Sequence, residues 1–134
     1  MGSAELFDSN VRTVHRYDRN LHGGGVLVAI PTYLQHNRVL IENLSPIEFV
    51  AVDIPRQQLF KNDILIVCIY ISPCNTNQIL EPLTSMLHQV TLKYHKYQTI
   101  IVGDFNMPDI DWVHHRVKEG SNRRILHQDF INCF

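Results

Sequence analysis

Thr99-Ile100-Ile101-Val102-Gly103-Asp104-Phe105-Asn106-Met107-Pro108-Asp109-Ile110-Asp111-Trp112 decides how the rest of the chain is read. A β-branched run enters a glycine, then an Asp and an Asn alternate with a Phe. Pro108 stops the strand, and a short acidic turn follows with the only Trp of the sequence. Successive strand side chains point to opposite faces, so Asp104 and Asn106 are expected together on one face and Phe105 on the other. Gly103 removes bulk just before the pair, which lets another group approach the backbone. A carboxylate and an amide at the end of a buried strand suit metal-assisted phosphoryl chemistry. Taken alone, the same two residues equally suit a turn before Pro108.

Working outward, the run Asp63 to Ile71 is the longest apolar stretch and is expected to be a central strand, ending at Ser72-Pro73-Cys74-Asn75. Between it and the Asp104 strand, Leu83, Met86, Leu87, Val90 and Tyr94 share one helical face. Pro82 fits only the first turn of a helix, so this helix is expected from Glu81 to His95. Two apolar strands flanking a helix form the pattern of a parallel crossover. Upstream, residues 11–17 have strand content. The polar Asp18 to Gly25 segment has hairpin-loop chemistry, and Val26 to Ile30 reads as a strand buried on both faces. Arg38 to Glu42 and Phe49 to Ile54 are further strands around the turn Asn43-Leu44-Ser45-Pro46. In the second, Phe49, Ala51 and Asp53 share one face. A last helix is expected after Gly120, with Ser121 as N-cap and Ile125, Phe130 and Ile131 among its apolar positions. The fold class is α/β (α+β), in layers, as one unit over residues 1–134.

Composition excludes several classes. With 45% apolar and 19% charged residues the chain is globular in type. A net charge of −1 gives no overall basicity that would advertise nucleic acid, although Lys and Arg can be concentrated on one face. Eight His leave that charge sensitive to pH near neutrality. Three Cys (Cys68, Cys74, Cys133) without paired spacing argue against a disulfide framework or a zinc ribbon. Neither a signal segment, a myristoylation signal nor an apolar run of about 20 residues is present, so an intracellular, reducing compartment is expected. Gly23 to Gly25 lack the lysine signature of a phosphate loop. The Asp104 to His115 segment fails as a calcium loop, because Asp109 stands where Gly is needed and His115 where Glu is needed. Asp109 and Asp111 are turn residues, with Trp112 packing the turn back on the core. His88, His95, His114 and His115 have no zinc spacing. Arg116, Lys118, Arg123 and Arg124 form a modest basic cluster, either facing a phosphate backbone or solvated.

Gly103-Asp104-Phe105-Asn106 resembles the signature of the endonuclease/exonuclease/phosphatase superfamily, and the trailing Pro108-Asp109-Ile110-Asp111-Trp112 resembles its LINE-type (non-LTR) retrotransposon endonucleases. Arg16-Tyr17-Asp18-Arg19 with Gly23-Gly24-Gly25-Val26 resembles that branch's Arg-x-Asp-Arg and triple-glycine strand entry. Ile69-Tyr70-Ile71-Ser72-Pro73 resembles the strand end carrying the family's active-site Tyr. The three stand in the family's order along nearly the whole chain.

The resemblance implies the four-layer α/β sandwich of the deoxyribonuclease-like fold and phosphodiester hydrolysis with Mg²⁺ or Mn²⁺. By matching position, Asp104 orients or deprotonates the attacking water and contacts the metal indirectly. Asn106 hydrogen-bonds water or phosphate, and Tyr70 donates its phenol proton to a phosphate oxygen. Arg16 and Arg19 contact a nucleic-acid backbone or are ion-paired at the surface. The implied partner is DNA, with no membrane, in a polyprotein that also carries a reverse transcriptase and acts in the nucleus. The family's upstream Asn and metal-binding Glu segments, and its downstream Asp and Ser-Asp-His segments, have no counterpart here; Glu5 lies on no such element. The chain reads as a partial domain, expected to be inactive as it stands, poorly soluble or oligomeric. Alternatives are a non-catalytic remnant or interaction module on the same scaffold, and a phosphatase of the same superfamily.

Overall fold

The computed structural model describes residues 11–19, 24–41, 47–73, 76–121 and 124–134. Glu5, the loop residues Asn20 to Gly23, the Asn43 to Pro46 turn, Cys74 and Arg123 lie outside them. The strands are β1 (Arg12–Tyr17), β2 (Val26–Pro31), β3 (Asn37–Val39), β4 (Glu48–Ile54) and β5 (Ile64–Tyr70). Helix α1 (Thr76–Lys93), β6 (Gln98–Asp104), the short β7 (Ile110–Asp111) and β8 (Arg116–Val117), and α2 (Arg124–Ile131) follow. The fold is mixed α/β.

Four strands make the central sheet in the order β3-β4-β5-β6, while β1 and β2 pair as a separate hairpin. β4 runs antiparallel to β5 and β6 runs parallel to it, with α1 as the crossover between them. Strand alternation divides the sheet. Ala51, Leu65, Val67 and Ile69 pack with Leu80, Leu83, Met86, Leu87 and Val90 of α1 and with Phe130 and Ile131 of α2. Val50, Val52, Ile54, Ile64 and Ile66 pack on the other side with Ile30, Val26 and Val28 of the hairpin. Helices, sheet and hairpin are thus three of the four layers of a deoxyribonuclease-like sandwich, and the described residues form no fourth.

Several expectations are corrected. β2 is half-buried for most of its length, because one face meets the sheet and no described element covers the other. β3 is shorter than expected, and Glu42 lies outside the described residues. α1 starts at Thr76, well before Pro82. Burial of Ile79 and Leu80 carries the helix through a proline that forfeits one backbone bond. β6 is a sheet edge with an exposed face, Ile100 and Val102 each being 45% accessible, although its composition reads as a buried strand. Among the described residues no helix is long and apolar enough to cross a membrane.

Candidate active site

The carboxyl ends of the parallel strands β5 and β6 lie side by side, the position at which open α/β sheets collect ligands. Tyr70 closes β5 and is registered opposite Asp104, the last residue of β6. On the other side Tyr70 is registered opposite Glu48, the first residue of β4. Glu48, Tyr70 and Asp104 therefore form one transverse row across three strands, on the hairpin side of the sheet by alternation.

Gly103 makes the close pairing with β5 possible. Its φ is 149°, and a Cβ there would lie 1.8 Å from the Ile69 carbonyl oxygen. Only glycine lets the two backbones meet at that point. The strand ends at Asp104, so pleat alternation does not place Asn106, contrary to the sequence expectation. A left-handed turn does so instead, with Asn106 at φ 47°. Its backbone N–H donates to Asp104 Oδ1 at 3.2 Å, and its Nδ2 donates to the Ile71 carbonyl at 2.6 Å. The Ile71 N–H in turn donates to the Asp104 carbonyl at 2.9 Å. The two strand exits are stitched to each other, which holds the Asp104 carboxylate beside Tyr70.

Phe105 points away from this row. Its ring lies 5.6 Å from that of Trp112, 5.7 Å from Phe130 and 6.1 Å from Phe134. Trp112 thereby packs the acidic turn back on the core, as the sequence implied, while remaining half-exposed. An open cleft of about 850 Å³ lies between the β6 exit and α2, lined among others by Pro73, Asp104, Asn106, Asp109, Trp112 and His127.

His127 and Glu48 were not singled out from the sequence. His127 is 4% exposed, and its Nδ1 lies 3.1 Å from Ser121 Oγ, which donates to Asp109 Oδ2 at 3.3 Å. Ser121 thus bridges the turn and α2; Asn122 and Arg123, on which its expected role as N-cap depends, lie outside the described residues. The available signal was a polar residue on the stripe His127, Phe130, Ile131, at helical spacing. For Glu48 it was a carboxylate opening an otherwise apolar strand.

Three of the arginines singled out from the sequence are ion-paired. Arg16 Nη2 pairs with Asp18 Oδ1 at 2.7 Å, and Arg19 Nε with Glu48 Oε1 at 2.7 Å. The Glu48 hydrogen bond keeps the Arg19 guanidinium more firmly protonated than usual. Arg116 approaches Asp111 Oδ2 at 3.5 Å. Hydrogen bonds from His114, with Arg116 nearby, hold the Asp111 carboxyl below its ordinary range. Burial raises the Cys68 and Cys133 thiols, which are free.

A divalent cation takes six or more oxygen ligands in its hard-cation form. Among the described residues no group of three or more His, Cys, Asp or Glu converges where it could hold one. Asp104 and its neighbours alone do not make that site. The row can instead orient a water at Asp104 and donate a hydrogen bond from Tyr70.

A family profile described as endonuclease-reverse transcriptase matches residues 64–133, which include Tyr70, Asp104 and Asn106. No curated protein and no solved structure gives a significant match.

Proposed function

The chain belongs to the endonuclease-reverse transcriptase family, and from that premise we propose that it carries the phosphodiester-hydrolysing site of a retrotransposon endonuclease acting on DNA. The observation that carries the reading is the register of Tyr70 against Asp104, with Asn106 tied to the end of β5. Two segments of the family signature, distant in sequence, thus bring Tyr70, Asp104 and Asn106 to one sheet end. In this reading Asp104 orients the attacking water and accepts its proton. Tyr70 donates to a phosphate oxygen, and Asn106 fixes the loop that carries Asp104. Such chemistry consists largely of positioning and charge stabilisation. Mg²⁺ or Mn²⁺ belongs to the proposal as cofactor, with its remaining ligands outside the described residues, and a polyprotein with a reverse transcriptase as the setting.

Because the described residues gather so few metal ligands, these 134 residues alone are proposed to be inactive or nearly so. The test is nicking of supercoiled plasmid with Mg²⁺ or Mn²⁺. The isolated chain is expected to leave plasmid intact. The protein of the full open reading frame is expected to nick it, with a loss of about 100-fold or more in Asp104→Ala. Nicking by the isolated chain that disappears in Asp104→Ala would overturn the inactivity. Undiminished nicking by the Asp104→Ala full-length protein would overturn the assignment of the site.

A further inference from the structure

The proposed chemistry of Tyr70, Asp104 and Asn106 gives no role to the Arg-x-Asp-Arg and glycine segments. The structure gives each part a place. Arg16 turns back on Asp18, donating from Nε at 2.9 Å and from Nη2 at 2.7 Å to the same oxygen. Arg19 goes the other way, across the glycines, to reach Glu48 at 2.7 Å. Glu48 is 8% exposed and stands in the row with Tyr70 and Asp104. The Arg19 Cζ lies 5.3 Å from the centroid of the Tyr70 ring.

The glycines explain how the guanidinium gets there. Gly24 has φ 80°, and a Cβ on it would lie 2.6 Å from Arg19 Cζ and 2.8 Å from Nε and Nη2. Gly25 has φ 114°, and a Cβ on it would lie 2.2 Å from the Tyr17 carbonyl oxygen. One glycine thus leaves the space that the guanidinium occupies, and the next lets the hairpin close on its own backbone. A side chain at position 24 would collide with the Arg19 guanidinium, in addition to straining a backbone held at φ 80°.

We propose that Arg19 is a positioning residue of the site, anchored by Glu48 and seated in the space left by Gly24, which fixes the Tyr70 ring beside Asp104. The proposal rests on the phosphodiester reading for its function but not for its geometry. A planar guanidinium that donates from Nε to a carboxylate and at the same time lies over an aromatic ring is not reproduced by the point charge of a lysine. Glu48 keeps the arginine in place, and the arginine compensates a carboxylate that is nearly out of solvent. Tyr70 is then held from one side by a fixed cation.

Two measurements test it. In the 134-residue chain with ¹³C-labelled tyrosine, the Tyr70 ring signals are assigned by their loss in Tyr70→Phe. Arg19→Lys, Glu48→Gln and Gly24→Ala are each expected to shift them while leaving those of Tyr94 and Tyr97, on the helix side, in place. Arg16→Lys is expected to leave the Tyr70 signals unmoved. Unchanged Tyr70 signals in both Arg19→Lys and Gly24→Ala would overturn the proposal. In plasmid nicking by the full-length protein, Arg19→Lys is expected to lower kcat on the order of 10- to 100-fold. Combined with Tyr70→Phe it should add nothing to the loss from Tyr70→Phe alone. Additive losses would show that Arg19 acts apart from Tyr70 and would overturn the proposal. If the wild-type protein nicks nothing, the functional reading falls while the ring signals still decide the positioning.

Discussion

At the scale of single residues, the candidate site depends on backbone positions as much as on its polar groups. A Cβ at Gly103 would penetrate the Ile69 carbonyl oxygen. Gly103→Ala is therefore expected to destabilise the fold by about 3 kcal/mol and to unseat Asp104 from Tyr70, as read from denaturant midpoints. Asp111 gives a pH dependence of known sign. Its carboxyl is held low in the folded chain by hydrogen bonds from His114, so its contribution to stability is complete above the ordinary carboxylate value. That contribution is lost as pH falls through the lower folded value. Asp111→Asn is expected to flatten the acid limb of stability against pH below about 4, followed through urea midpoints. Asp104, Asn106 and Tyr70 were legible because each ends an apolar run and interrupts it with a polar group. Their meeting was inferred through the wrong device, since Asn106 is placed by a left-handed turn that no alternation encodes. Glu48 was illegible because its importance comes from Arg19, which is remote in sequence and adjacent only after the hairpin has folded over the sheet.

Among the elements, apolar periodicity revealed α1 but not its first turns. Leu83, Met86, Leu87 and Val90 are all buried as expected, and the helix runs upstream through Pro82 because Ile79 and Leu80 also find the core. Leu83→Ala is expected to cost about 2 to 5 kcal/mol in chemical denaturation, the usual range for emptying a fully buried leucine site. The β5-α1-β6 crossover was legible from two apolar runs flanking a helix. The exposure of β6 was not, because an edge strand and a central one share the same β-branched composition; neighbours decide between them. β7 and β8 are too short to leave a periodic signal, and they exist because Asp109 and Ile110 are pinned to Lys118 and Val117 across the turn.

Across the whole molecule, the hairpin covers β4 and part of β5, and no described element covers the same face of β6. Ile100 and Val102 stand there side by side on an edge strand that carries no charge before Asp104. Unguarded edges of this kind pair with other chains. The protein is expected to self-associate in a concentration-dependent manner, and Val102→Lys to reduce that association in light scattering without lowering the melting temperature. An unchanged association in Val102→Lys would place the contact elsewhere. The crossover also sets the order in which the site is built. Glu48 and Tyr70 join through a nearby antiparallel pairing, whereas Tyr70 and Asp104 meet only when the long helical connection has closed. Closing such a loop costs entropy before any contact rewards it, so parallel pairing comes late in folding. Asp104 is therefore the last member of the row to arrive: a chain emerging from synthesis holds the tyrosine and its arginine in place before it holds Asp104, and the row is complete only when β6 has docked.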